Sequence, residues 1–284
     1  MSQEIGLIPN KLRQEVLKMV SRAGAGHVAG PLSASEILTA IYFGGETRVN
    51  PSDPWSEERD RFILSCGHYS PLLYATLAMR GYFEMGELAR FMKVDGPSTT
   101  LGIKLPGHPE YRSIPGVEAT TGSLGQGVSF AVGQAISIKL KYGERAQKET
   151  PRVICLMSDG ELQEGQVWEA FNFAVRRQLD NLTFMIDKNR IQIGNYVSQV
   201  SSSIRMEAKL EAFGLHVLEV EGNDLTKVRQ ALMKAREVRP VPCVIVCKTT
   251  AGKGVTFMEN KPEWHDKVPN RQEMERALVE LTKI

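Results

Sequence analysis

The chain has 284 residues, 42% of them hydrophobic and 24% charged, and its 35 Lys and Arg against 33 Asp and Glu leave a formal net charge of +2. Such proportions fit a soluble globular protein and exclude the disordered, collagenous and membrane-spanning classes. Without a basic block no nucleic-acid partner is expected, and the longest apolar runs, Val153 to Met157 and Cys243 to Cys247, fall far short of the ~20 residues that span a bilayer.

The amino terminus, Met-Ser-Gln-Glu-Ile-Gly, lacks the basic start and apolar run of a signal peptide, which predicts a cytoplasmic chain. Leu12, Val16, Met19, Val20 and Ala23 recur at helical spacing before Gly24, so residues 9–23 read as an amphipathic helix with a glycine stop. A second helix is expected after Ser33 or Ser35. Arg61 to Leu64, Arg152 to Met157, Leu182 to Ile186, Val217 to Val220 and Cys243 to Cys247 are short apolar runs rich in Val and Ile, and read as strands. Their apolar character is continuous rather than alternating, as a parallel sheet covered on both faces requires. Helical patterns lie between them at Gly127 to Tyr142, Trp168 to Val175, Ile204 to Phe213 and Leu225 to Val238, the last capped by Asn223 or Asp224 and stopped before Pro240. The alternation predicts an α/β fold, a doubly wound, mainly parallel sheet with helices on both faces, in one domain over 1–284. Cysteines 66, 155, 243 and 247 read as small buried hydrophobes of a reducing compartment.

Three features point to chemistry. Asp159 and Gly160 follow a strand directly, and the next strand runs into Asp187-Lys188-Asn189. Side chains at neighbouring tips of a parallel sheet face one crevice, where a carboxylate, an amide oxygen and a turn carbonyl would make half an octahedral magnesium site; a simple turn is the alternative reading of Asp-Gly. Thr120 to Gly127 reads Thr-Thr-Gly-Ser-Leu-Gly-Gln-Gly and opens a helix, which suits an anion or a tight packing turn. Its glycine order is not the dinucleotide fingerprint. Four of the five histidines, His27, His68, His108 and His265, sit in turn-like contexts beside Gly or polar residues, a pattern that suits either a multi-donor site or plain surface loops.

Residues 21–35 (SRAGAGHVAGPLSAS), 60–74 (DRFILSCGHYSPLLY), 105–110 (LPGHPE), 120–127 (TTGSLGQG), 158–165 (SDGELQEG), 187–192 (DKNRIQ) and 248–265, with its TTAGKG start, together resemble the amino-terminal, thiamine-diphosphate-binding half of transketolase. The resemblance implies that Asp159, Asn189 and the main-chain carbonyl of Ile191 hold Mg2+ or Ca2+ against the diphosphate. It implies that His68, Gly122, Ser123, Leu124, Gly160 and Glu161 contact thiamine diphosphate, that His27, His108 and His265 surround the reactive carbon and the sugar hydroxyls, and that Glu164 links two cofactor sites across a dimer. The chain departs from the family at Ser158, where the family block begins with Gly, and at Ser123, where well-known members have Pro.

Transketolase-like chains continue about as far again, through a pyrimidine-binding domain that carries the glutamate facing the aminopyrimidine and the residues that bind sugar phosphate. The resemblance therefore implies a split transketolase: this chain would be the diphosphate-binding subunit, a C-terminal subunit would carry the pyrimidine domain, and the two would form an α2β2 heterotetramer acting on sugar phosphates. A 1-deoxyxylulose-5-phosphate synthase-like transferase and a non-catalytic scaffold are the competing readings. The four histidines favour the first over the former, and the intact Asp159, Asn189 and Glu164 favour it over the latter.

Overall fold

The computed structural model describes residues 2–93, 104–143, 150–201 and 205–282. Strands β1 (Arg61–Leu64), β2 (Val153–Ser158), β3 (Leu182–Lys188), β6 (His216–Glu221) and β7 (Cys243–Lys248) form one sheet in the order β1-β2-β3-β7-β6, and every neighbouring pair is parallel. Between β3 and β6 lies a small antiparallel hairpin, β4 (Ile191–Gln192) with β5 (Asn195–Tyr196). Because all five strands of the main sheet run one way, their carboxyl ends lie along a single edge, and Ser158 sits level with Asp187 and Asp187 with Cys247.

The continuous apolar runs have a direct physical cause. Along β2, Ile154 and Leu156 enter one hydrophobic core while Val153, Cys155 and Met157 enter another; along β7, Cys243, Ile245 and Cys247 face the first core and Val244 and Val246 the second. Successive strand side chains point to opposite faces, so a sheet buried on both sides needs apolar residues at every position. The first core packs against helices Ile8–Ala23, Ser35–Phe43, Ser70–Arg80, Leu225–Ala235 and Arg271–Thr282; the second packs against Gln126–Tyr142, Gly165–Arg176 and Met206–Ala212. Strand β6 departs from the continuous pattern: its side chains are half-buried or exposed, as befits the sheet edge, and His216 at its start is exposed.

Most predicted elements appear within a few residues of their expected bounds. Gly24 closes the first long helix in the left-handed conformation (φ 69°), and the Asp224 side chain caps Leu225–Ala235 by accepting the Lys227 N–H at 3.1 Å. Ile204, the expected start of one helix, lies outside the described residues; the helix runs over Met206–Ala212. Helix Ser70–Arg80 is not legible from periodicity because it is buried on nearly every side from Ser70 to Ala78, which leaves no polar stripe. All four cysteines are buried and free, and burial raises each thiol pKa, to about 12 for Cys243. Among the described residues no helix is long and apolar enough to cross a membrane.

Candidate active site

The carboxyl edge of the sheet gathers side chains from four chain segments. After β2, Asp159 opens a short 3-10 turn (Asp159–Gln163) fixed by a reciprocal cap: the Ser158 hydroxyl accepts the Glu161 N–H, and the Glu161 carboxylate accepts the Ser158 N–H at 2.9 Å. Asp159 is 3% exposed. One of its oxygens, Oδ2, accepts the Arg190 N–H at 2.9 Å, while Oδ1 is buried and has no hydrogen-bond partner. Burial, reinforced by the charge of Asp187, raises its pKa to about 7. An orphaned carboxylate oxygen of this kind asks for a cation.

After β3, Asn189 is also buried, with Oδ1 accepting the Ile191 N–H at 3.0 Å and Nδ2 donating to Asp187 Oδ2 and to Tyr69 Oη, each at 2.8 Å. Residues 159 and 189 thus occupy neighbouring tips of the sheet, and the Arg190 amide bridges them. The Asp159 carboxylate and the Asn189 amide offer hard oxygens, the ligand type that Mg2+ and Ca2+ take.

Beside these tips lies a cavity of about 220 Å³ lined by His27, His68, Tyr69, His108, Gly122, Leu124, Ser158, Gly160, Ile191, Gln192, Ile193 and His265. The four histidines that sequence placed in separate loops converge here. The His27 ring centroid is 5.0 Å from His68 and 5.3 Å from His265, and His68 lies 5.6 Å from His265. Each loop is tethered. Ser70 Oγ donates to the Gly107 carbonyl at 2.6 Å and Tyr74 Oη to the Pro106 carbonyl at 2.9 Å, holding the His108 loop; the Gly252 N–H donates to the Ala29 carbonyl at 2.9 Å, tying the segment after β7 to the His27 loop.

Burial lowers the pKa of His27 to about 4, with the neighbouring charges of His265 and His108 adding to the effect. It lowers His68 strongly and also lowers His265, against the opposing charge of Asp266. These three imidazoles are therefore neutral at pH 7, able to accept a proton at one nitrogen and donate from the other.

The glycine-rich segment approaches the His68 turn closely. A Cβ on Gly67 would lie 2.8 Å from the backbone of Thr121 and Gly122. A Cβ on Gly160, in contrast, would meet only the Gln192 side chain, at 3.5 Å. Packing within the chain does not demand a glycine at 160, so the bare backbone facing the cavity is space left for a ligand.

Three expected cofactor contacts or site residues lie elsewhere. Glu161 is fully buried, and its carboxylate is consumed by Ser65 Oγ at 2.6 Å and the Gly125 N–H at 2.8 Å in addition to Ser158. It braces the Gly122–Gly125 loop against β2 and does not line the cavity. Ser123 is exposed and outside the lining, and Glu164 is exposed where it precedes helix Gly165–Arg176. Three further residues of the site carry little signal in the sequence. Tyr69 and Ile193 line the cavity, Ile193 with the left-handed φ of 51° that the hairpin tip imposes, and Asp187 is fully enclosed behind Asn189. The sequence places Asp187 with Asn189 at the strand tip but gives no sign that it stands behind Asn189.

A parallel sheet whose carboxyl edge gathers buried hard oxygens, a bare glycine backbone and neutral imidazoles around one cavity is the arrangement of an α/β domain that takes its ligand at the strand ends. Residues 6–280 match the family model described as transketolase, thiamine diphosphate binding domain. The chain is 40% identical over 269 residues to one of the subunits of an apulose-4-phosphate transketolase from Actinobacillus succinogenes, covering 94% of this chain and 91% of that one. It is 36% identical over 275 residues to a 6-deoxy-6-sulfo-D-fructose transketolase subunit from a Clostridium species, covering 96% and 94%. The crystal structure of transketolase from Campylobacter jejuni superposes with a TM-score of 0.90 at 33% identity, covering 99% of this chain and 43% of that one. The chain belongs to the transketolase family, a family of transferases, and is its N-terminal thiamine-diphosphate-binding unit.

Proposed function

We propose that this chain is the N-terminal subunit of a two-chain transketolase, transferring a two-carbon ketol unit from a ketose phosphate to an aldose phosphate, with a C-terminal subunit that carries the pyrimidine domain and an α2β2 assembly. The observation that carries the proposal is the orphaned Asp159 Oδ1, whose chain neighbours Ser158 and Gly160 line a cavity shared by four histidines. Two relatives matched almost end to end are named as subunits, whereas the chain spans only 43% of the single-chain Campylobacter enzyme. The subunit names support a partner chain.

Asp159, Asn189 and the Ile191 carbonyl would hold Mg2+ or Ca2+, and Gly160, Gly122, Leu124 and His68 would border the cofactor. Thiamine diphosphate, when bound, supplies the nucleophilic carbon that allows the bond between C2 and C3 of a ketose to be broken. The chain's own residues bind, orient and move protons. His27 and His265, neutral and 5.3 Å apart between ring centroids, would donate to substrate hydroxyls and accept their protons. General acid–base action by positioned groups of this type contributes typically about 10²–10⁴-fold. Exposed Glu164, just outside the cavity, is free to reach a second copy across an interface.

The test is reconstitution. The purified chain alone should show little or no ketol transfer, and addition of a C-terminal transketolase subunit carrying the pyrimidine domain should restore it together with metal-dependent binding of thiamine diphosphate. Robust turnover by the isolated chain would refute the split site.

A further inference from the structure

Asp187 is a completely enclosed carboxylate at the edge of the sheet, 0% exposed and absent from the cavity lining. Four side chains donate to it, three of them from distant segments. Ser33 Oγ at 2.6 Å, Tyr69 Oη at 2.7 Å and Asn189 Nδ2 at 2.8 Å reach Oδ2, and Thr249 Oγ1 reaches Oδ1. A buried charge of this kind is costly to retain, and an apolar side chain of similar size would tie the same segments together by packing. The pattern of donors indicates what the charge adds.

A carboxylate can only accept hydrogen bonds, whereas an asparagine amide has one accepting end and one donating end. With Asp187 beside it, Asn189 must turn its NH2 toward Asp187, and its oxygen then faces the side of Ile191, a residue that lines the cavity. The Ile191 N–H favours the same orientation, but through a neutral bond, weaker than the charge-assisted bond to Asp187. Were residue 187 an amide or an alcohol, the flipped Asn189 would also find a partner inside and would present NH2 where a cation needs oxygen.

We propose that Asp187 is a positioning residue whose buried charge fixes the Asn189 amide with its oxygen toward the cation site. The inference rests on the reading of Asn189 as a cation ligand. Outer groups that orient a metal ligand typically change metal affinity about 10–100-fold when removed.

The test is calorimetric titration of Mg2+ into the full chain assembled with its C-terminal partner, with thiamine diphosphate saturating. Asp187→Asn should raise the Mg2+ concentration at half-saturation by about 10–100-fold. The exchanged pair Asp187→Asn with Asn189→Asp keeps one amide and one carboxylate in contact. In it the residue 187 amide donates inward while a residue 189 oxygen faces the ion, and Mg2+ half-saturation should return to within about tenfold of the unmodified chain, as an orientation effect requires. A purely structural tie predicts no such rescue, so an exchanged pair as weak as Asp187→Asn overturns the proposal, as does an exchanged pair that fails to assemble. Unchanged Mg2+ binding in Asp187→Asn overturns it too. Should the unmodified complex bind thiamine diphosphate equally well in EDTA, the cation reading itself fails, a result separate from any of these.

Discussion

Two glycines at the cavity edge should respond to the same substitution in opposite ways. In Gly67→Ala the new Cβ would lie 2.8 Å from Thr121 C and O and Gly122 N, all backbone atoms, so no side-chain rotation relieves the clash. The two segments must part by about 0.6 Å to reach a tolerable contact, and overpacking of this kind costs about 1–3 kcal/mol. The smaller unfolded-state entropy of Ala returns about 0.4–1 kcal/mol, leaving a net loss of about 1–2 kcal/mol. Because the separated segments carry His68 on one side and Gly122 and Leu124 on the other, binding of thiamine diphosphate should weaken as well. In Gly160→Ala the Cβ meets Gln192 at an ordinary 3.5 Å. Stability should hold within about 0.5 kcal/mol or rise slightly, while the methyl group intrudes on the cavity wall and weakens binding about tenfold or more, the equivalent of about 1.4 kcal/mol or more. Urea unfolding with unchanged slope reads the first quantity, and calorimetric titration of thiamine diphosphate with Mg2+ reads the second. Equal destabilisation by both substitutions, or unimpaired binding in Gly160→Ala, would refute the assignment of packing to Gly67 and ligand space to Gly160.

Three further outcomes are expected. His27 has its pKa lowered from 6.5 to about 4, so between those values the unfolded chain binds the proton that the folded one refuses. Stability contributed by neutral His27 is present above pH 6.5 and is lost as pH falls toward 4, by about 2 kcal/mol after allowance for partial exposure; urea midpoints of His27→Asn should show a shallower decline over that range. Asp159→Asn should stabilise the metal-free chain by about 1–2 kcal/mol in a thermal melt at pH 8, because it removes a buried charge with an orphaned oxygen near Asp187 and keeps an acceptor for the Arg190 N–H, while abolishing metal-dependent cofactor binding. Trp168 is half-buried, with Nε1 donating to the Leu162 carbonyl at 2.7 Å; Trp168→Phe should cost about 1 kcal/mol by chemical denaturation, the value of one hydrogen bond.

The five strands of the main sheet and most helices are legible in the sequence because their cause is local. A strand buried on both faces needs apolar residues in succession, and Val153 to Met157 displays that directly; Gly24 and Asp224 mark helix ends through backbone geometry and capping that involve only neighbours in sequence. The positions of Asp159 and Asn189 at strand tips are equally readable, since a tip is defined by where the apolar run stops. Helix Ser70–Arg80 is not, because burial on all sides erases the stripe by which a helix announces itself.

What sequence by itself determined, then, was the set of elements and the chemical groups at their ends, together with the family motifs that those groups make up. Only the tertiary structure decided that His27, His68, His108 and His265 share one cavity, that Glu161 is spent as a brace on Gly125, and that Asp187 stands behind Asn189 with four donors around it. The reason is that side-chain meeting depends on which strands lie side by side. The order β1-β2-β3-β7-β6 is fixed by the burial of segments far apart in the chain, and that information is present in no single stretch of it.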